Sequence, residues 1–216
     1  MSQPTITALF GGTFDPIHYG HLKPAMALAE QVGLSKIYLM PNHIPPHKPQ
    51  PIATNRQRLD MLALAIKDNP LFAINKQELI RKTTSYTIDT LIQWHQRHHQ
   101  QAILAFIIGT DSLYTIDRWH RWQAILDYCH LLVCPRPFPA KQTISAELQS
   151  WLDQHLTRDI HQLRLYPTGK IFIAQAPLCD IASSEIKQRI KHNQDCSEIL
   201  PPAVWQYIKH HQLYRN

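Results

Sequence analysis

Between residues 5 and 33 the chain passes from a β-prone run through two adjacent glycines into a helical repeat, an order that few folds accommodate. Thr5 to Phe10 meets the string Gly11-Gly12-Thr13-Phe14-Asp15-Pro16-Ile17-His18-Tyr19-Gly20-His21-Leu22. From there Leu22, Ala25, Met26, Ala29 and Val32 recur at helical spacing until Gly33 ends the pattern. A glycine turn between a strand and its crossover helix presents unpaired backbone N–H groups to an anion.

The alternation continues along the chain. Runs at 36–40, 71–74, 102–108, 128–133 and 170–174 read as strands, and 102–108, apolar throughout, suits a strand covered on both faces. Thr54 and Asn55 can cap a helix carrying Leu59, Leu62, Ala63 and Ile66 on one face, and Thr87 can cap one presenting Ile88, Leu91 and Ile92. Further helices are predicted at 146–155, 184–191 and 202–209. The proline-rich stretches 41–51 and 135–141 can only be loops. The pattern predicts an α/β fold: a doubly wound, mostly parallel sheet with helices on both faces and ligands at the strands' carboxyl ends. It is read as a single domain over 1–216, with a small helical part near 180–216.

Composition narrows the partners. With 44% apolar and 18% charged residues the chain is not a disordered one, and its longest apolar run is far too short to cross a bilayer. The opening residues lack a basic segment followed by an apolar one, so the expected location is the cytoplasm. Cys129, Cys134, Cys179 and Cys196 form no C-x-x-C pair and are read as reduced thiols without a catalytic role. Twenty-two Lys and Arg against 16 Asp and Glu, a net +6 with 14 histidines in reserve, favour an anionic partner, nucleotide or polymer. The six glycines are sparse against the roughly fifteen of an average chain this long. Four of them, Gly11, Gly12, Gly20 and Gly109, fall after predicted strands or at a helix start, where a missing Cβ lets a ligand reach the backbone.

The glycine string has neither the P-loop nor the dinucleotide-fingerprint spacing. His18 and His21, three apart, share a helix face and can aim ring N–H donors at one phosphate. The alternatives are surface histidines at a helix start, or a zinc site completed by His43 and His47; the stiff Pro45-Pro46 and the absence of a spaced acidic or thiol ligand count against zinc.

These residues resemble the (G/T)-x-F-D-x-x-H-x-G-H signature of the nucleotidylyltransferase superfamily, whose members have a Rossmann-like fold. The segment Ile181-Ala182-Ser183-Ser184-Glu185-Ile186-Lys187 is similar to its second signature, I-S-S-T-x-I-R, with lysine replacing arginine and so losing the bidentate fork. The resemblance implies that Gly11, Gly12, Thr13, Phe14, His18 and His21 meet ATP. It also implies that Ile181, Ser183, Ser184 and Lys187 hold the triphosphate, and that His18, His21 and Lys187 stabilise the reacting phosphate. Taken alone, Ser183-Ser184 could be an ordinary N-cap.

Within the superfamily the chain resembles the bacterial nicotinate-nucleotide adenylyltransferases over essentially its whole length. Met40-Pro41-Asn42 with Pro45-Pro46-His47-Lys48 is similar to their phosphate loop, which implies a catalytic role for Lys48; the alternative is a solvated loop charge. Thr84-Ser85-Tyr86-Thr87 is similar to the segment that meets the pyridine carboxylate, and a plain cap at Thr87 is equally compatible. Gly109 and Asp111 follow the buried strand, with Asp111 suited to a ribose hydroxyl or to an N-cap. Trp119 matches a tryptophan that stacks on the pyridine ring, Trp122 is assigned to the core, and Arg136 matches an arginine near the nucleotide phosphates, while Gly12 and Thr13 are shared with the acceptor.

The activity implied is transfer of the adenylyl group of ATP to nicotinate mononucleotide in NAD synthesis. Mg²⁺ would be held by the triphosphate and water, without protein ligands and without a nucleic-acid or membrane partner. Nicotinamide mononucleotide is the alternative acceptor. Phosphopantetheine is disfavoured by the length and by the Trp119 and Ser85-Tyr86 segments. A nucleic-acid-binding protein is the rival class, but the basic residues are scattered and match no binding module.

Overall fold

The computed structural model describes residues 4–43, 50–81, 84–98, 102–136, 144–175 and 179–215. The first crossover forms as predicted: β1 (Ile6–Gly12) leads through the glycine string into α1 (Tyr19–Val32), which Gly33 ends in the left-handed conformation at φ 72°. Then come β2 (Leu34–Pro41), α2 (Asn55–Ile66), β3 (Phe72–Ile74), the short α3 (Gln77–Ile80), α4 (Thr87–His98) and β4 (Ile103–Gly109). A one-turn α5 (Thr110–Leu113) and two 3₁₀ segments, Ile116–Arg118 and Trp122–Asp127, precede β5 (His130–Cys134). The remainder is α6 (Ala146–His155), β6 (Leu156–Thr157), α7 (Gln162–Leu165), β7 (Ile171–Ile173), α8 (Ser183–Lys191) and α9 (Pro202–His210).

The seven strands hydrogen-bond in the order β3-β2-β1-β4-β5-β7-β6, and every pairing is parallel, where a mostly parallel sheet was expected. Side-chain alternation along β4 shows why both faces need cover. Ala105 and Ile107 enter one apolar layer, with residues of α1, α2, α8 and α9, while Leu104, Phe106 and Ile108 enter the other, with residues of α4 and α6. Among the described residues no helix is long and apolar enough to cross a membrane.

Local details depart from the expectation. Tyr128 and Cys129 precede β5, because the preceding 3₁₀ segment closes on Tyr128, whose N–H bonds to the Ile125 carbonyl. Helix α4 starts at Thr87 itself, so Thr87 is its first residue rather than its cap. Thr54 does cap α2, in a reciprocal box with Gln57. That helix buries Arg58, Met61 and Leu62 while Ala63 faces solvent, so its inner face is turned from the one expected.

The chain adds β2 and β3 on one side of β1 and β4 and β5 on the other. The strand order therefore reverses between β1 and β4, and a crevice opens beyond their carboxyl ends at Gly12 and Gly109.

Candidate active site

A cavity of about 820 Å³ fills that crevice, towards the upper end of ligand-site volumes and roomy enough for two substrates. Gly11, Gly12, Thr13, Phe14, His18 and His21 line it from the β1–α1 connection; Ser85 and Tyr86 from the approach to α4; Gly109 and Asp111 from the end of β4; Trp119, Arg136, Ile181, Ser183, Ser184 and Lys187 from later segments. Thr84 is not on the wall; it turns its backbone carbonyl back to the Tyr86 N–H. Lys48, with Pro45, Pro46 and His47, lies outside the described residues.

The two motifs meet at His18. This histidine is the N-cap residue of α1, 2% exposed, and its Nε2 lies 3.1 Å from Ser183 Oγ, 165 positions away. The Ser183 hydroxyl also donates to the Pro16 carbonyl at 3.3 Å. A hydroxyl has one hydrogen, so both contacts form together only when Nε2 carries the ring hydrogen and donates to Ser183. Burial, reinforced by the Arg136 charge, pulls the His18 pKa down to about 3. The ring is therefore neutral at physiological pH and adds no positive charge to the site, contrary to the reserve expected of the histidines. Its Nδ1 is buried without a hydrogen-bond partner among the described residues. The His21 ring lies 3.7 Å from that of His18, centroid to centroid, so the two rings sit side by side although α1 begins only at Tyr19; the one ring hydrogen of His18, donated to Ser183, is not aimed at a phosphate as expected. His43 instead pairs through Nδ1 with Asn55, 3.0 Å away, and the described residues contain no cluster of three metal-ligating side chains.

Ser183 and Ser184 are not caps, since Ala182 holds that position and Ser183 begins α8. One turn on, Lys187 Nζ donates to Asp15 Oδ2 at 3.1 Å. Asp15 is buried and accepts four hydrogen bonds. Oδ1 takes the Ala53 N–H and the Tyr214 hydroxyl, and Oδ2 takes the Ile52 N–H and Lys187. Burial alone raises the Asp15 pKa, but Tyr214, the two amides and Lys187 outweigh it and leave it below the ordinary carboxylate value. Arg58, fully buried, donates to the Thr13 carbonyl (2.8 Å), the Asn42 carbonyl (2.7 Å) and Asn55 Oδ1 (2.7 Å), tying α2 to the ends of β1 and β2.

The glycines serve this chain's own side chains. A Cβ on Gly12 would meet the Phe14 ring at 2.9 Å, and one on Gly20 would meet the Ile181 carbonyl at 2.8 Å. One on Gly109 would strike Asp111 Oδ1 and the Arg136 stem, which lies across that residue. At Gly20 the missing Cβ, read from sequence as room for a ligand, lets the two motifs close on each other; at Gly12 and Gly109 it makes room for Phe14, Asp111 and Arg136, while both glycines also line the cavity. Asp111 is not an N-cap, because Gly109 precedes α5; its Oδ1 is buried without a hydrogen-bond partner among the described residues, and its Oδ2 is 3.9 Å from Arg136 Nη1. A buried acceptor beside the cavity suits a ligand hydroxyl.

At the other end of the cavity, Tyr86 stacks on His120 at 4.7 Å and Ser85 Oγ receives the His43 N–H at 3.4 Å. Trp119 is partly buried against the second apolar layer and also lines the cavity, while Trp122, assigned to the core from sequence, is likewise only partly buried and packs edge-on against Trp151 at 4.9 Å at the margin of that layer. Beneath Ser85 stands Glu78, 4% exposed, accepting from the Thr90 hydroxyl at 2.8 Å. Burial raises its pKa, against the pull of Thr90, Arg81 and Ser85.

Asp15, Arg58 and Glu78 were missed from sequence. Asp15 was inside the quoted string and its charge was the available signal. For Arg58 the signal was its place at 58, 61, 62, 65, a helical stripe that the charge disguises.

Residues 9–189 match the family model described as cytidylyltransferase-like. A relative from Yersinia enterocolitica described as a probable nicotinate-nucleotide adenylyltransferase is 53% identical over 212 residues, covering 98% of this chain and 96% of the relative. One from Pectobacterium atrosepticum with the same description is 52% identical over 213 residues, covering 99% of this chain and 100% of its own length. Among solved structures, the Plasmodium falciparum nicotinic acid mononucleotide adenylyltransferase complexed with NaAD superposes with a TM-score of 0.70 at 18% identity, covering 97% of each chain. At that identity the likeness speaks for the fold.

Proposed function

The chain belongs to the nicotinate-nucleotide adenylyltransferases of the cytidylyltransferase-like family, and from that premise we propose that it joins the adenylyl group of ATP to nicotinate mononucleotide, releasing pyrophosphate, in NAD synthesis. The observation that carries this reading is the His18–Ser183 contact, which brings two motifs 165 positions apart onto one wall of a cavity at the sheet's switch point.

The acceptor phosphate is largely ionised at neutral pH and attacks the α-phosphorus in line with the departing pyrophosphate, so the protein need not supply a nucleophile. Its task is to align two anions and to stabilise the charge that develops on the leaving group. His18 serves as a neutral, oriented group. Lys187 and Arg136 provide positive charge, and backbone N–H groups near Gly11-Gly12 and at the start of α8 add fixed dipoles. Lys48 is assigned to the acceptor side. Asp111 takes a ribose hydroxyl, and Trp119 offers its face to the pyridine ring.

Magnesium is assigned to the triphosphate, on which it would arrive as part of the substrate. Such an ion neutralises part of the triphosphate charge. Cys129, Cys134 and Cys196 are buried thiols whose pKa burial raises, so they are held in the unreactive protonated form.

The test is pyrophosphate release from magnesium ATP with nicotinate mononucleotide and nicotinamide mononucleotide offered in turn. Turnover with the acid is expected to exceed that with the amide, and His18→Ala to lower it on the order of 100-fold while the circular dichroism spectrum is unchanged. Folded protein that releases no pyrophosphate with either acceptor would overturn the proposal.

A further inference from the structure

The four-fold saturation of Asp15 has a role that the motif residues do not explain. A carboxylate offers about four lone-pair positions. Here all four are taken, by Ile52 and Ala53 just before α2, Lys187 on α8, and Tyr214 in the turn after α9. Tyr214 is 5% exposed, adopts the left-handed φ of 63°, and places its hydroxyl 2.6 Å from Asp15 across 199 positions. Its ring centroid lies 5.9 Å from the same Lys187 Nζ. Lys187 uses one of its three N–H donors on Asp15, and the side chain, 28% exposed, borders the cavity.

We propose that Tyr214 is a positioning residue for nucleotide binding: by occupying Asp15 Oδ1 it fixes the carboxylate so that Oδ2 holds Lys187 Nζ against the cavity wall, its free N–H groups turned to the triphosphate. A lysine needs such an anchor more than an arginine would, because its ammonium is a flexible point charge without a planar fork to set its direction. The groups that face Asp15 among the described residues are Lys187 from α8, Arg58 from α2 and Tyr214 itself. Of these only Tyr214 can be stripped of its contact without changing charge or shape.

The inference rests on the adenylyl-transfer reading, and its test is kept separate from it. Magnesium ATP binding, measured by calorimetry without acceptor, is compared for wild type, Tyr214→Phe, Lys187→Ala and the double variant. Expected are a loss of about fivefold for Tyr214→Phe, about 30-fold for Lys187→Ala, and no loss beyond about twofold on adding Tyr214→Phe to Lys187→Ala. In turnover the Phe variant should raise KM for ATP and leave KM for nicotinate mononucleotide unchanged, a split that general loosening would not produce. Multiplicative losses in the double variant, or a matching rise in both KM values, would overturn the role of Tyr214 even in an active enzyme. Should Tyr214→Phe not fold, Tyr214→Leu, which also removes the hydroxyl at unchanged charge, takes its place in the cycle with the same expected non-additivity. Turnover of the wild type with its acceptor tests the adenylyl-transfer reading independently.

Discussion

Replacing Gly20 by alanine sets two known effects against each other. Gly20 is the second residue of α1, and inside a helix alanine is favoured over glycine by about 1 kcal/mol. The added methyl would lie 2.8 Å from the Ile181 carbonyl oxygen and 2.9 Å from both Ile181 Cβ and His18 Nδ1. A backbone carbonyl cannot swing aside as a long side chain can, and overpacking of this kind costs about 1–3 kcal/mol. The steric effect should win by about 1 kcal/mol, lowering the thermal midpoint by about 2–4 °C. The functional loss should be larger than the stability loss. Restoring normal contact pushes Ile181 back by about 0.5 Å or more, and two residues later Ser183 makes the bond to His18. Since a 1 Å misplacement can cost about 100-fold, about a tenfold fall in kcat/KM is expected. Scanning calorimetry and pyrophosphate release on one preparation would measure both. A raised midpoint with unchanged kcat/KM would refute the steric account.

Two further outcomes follow from the buried polar groups. Arg58→Met should leave the Thr13 and Asn42 carbonyls without their donor and cost about 2–4 kcal/mol, read as a lower urea midpoint at unchanged slope; a loss below about 1 kcal/mol would show that these bonds matter little. His18 has a folded pKa of about 3, below the ordinary 6.5. Its contribution to stability is therefore complete above pH 6.5 and shrinks as the pH falls towards 3, by roughly 1.4 kcal/mol per unit as the unfolded chain takes up a proton that the folded one refuses. His18→Gln should flatten the stability curve between pH 6 and 4 by about one proton; parallel curves for variant and wild type would place His18 in a solvated setting.

Much of this architecture was legible in the sequence because the strand and helix periods were clean. The apolar run that became β4, the helical spacing after Leu22 and the candidate cap Thr54 each gave their element. The two-residue β6 carries too few side chains for any period to register. The inner face of α2 was misjudged because its central member is a guanidinium, and hydrophobic pattern alone cannot tell a buried arginine from a surface one. For the site, the motifs pointed to His18, His21, Ser183 and Lys187, which the fold brings to one cavity, but not to their electrostatics. That His18 is neutral, and that Lys187 is anchored by Asp15, depends on burial and on Tyr214, which arrive from parts of the chain that no local spacing connects.

The cradle is assembled from segments made at opposite ends of synthesis. While the ribosome is still extending the chain through α6, the histidine turn already exists, but its partners Ser183 and Lys187 do not. At the proposed site ATP would then meet only half a grip, so nucleotide would not chaperone the early stages of folding. Its stabilising influence by mass action would begin once α8 has emerged and docked, lending the finished chain a resistance to unfolding that its nascent form lacks.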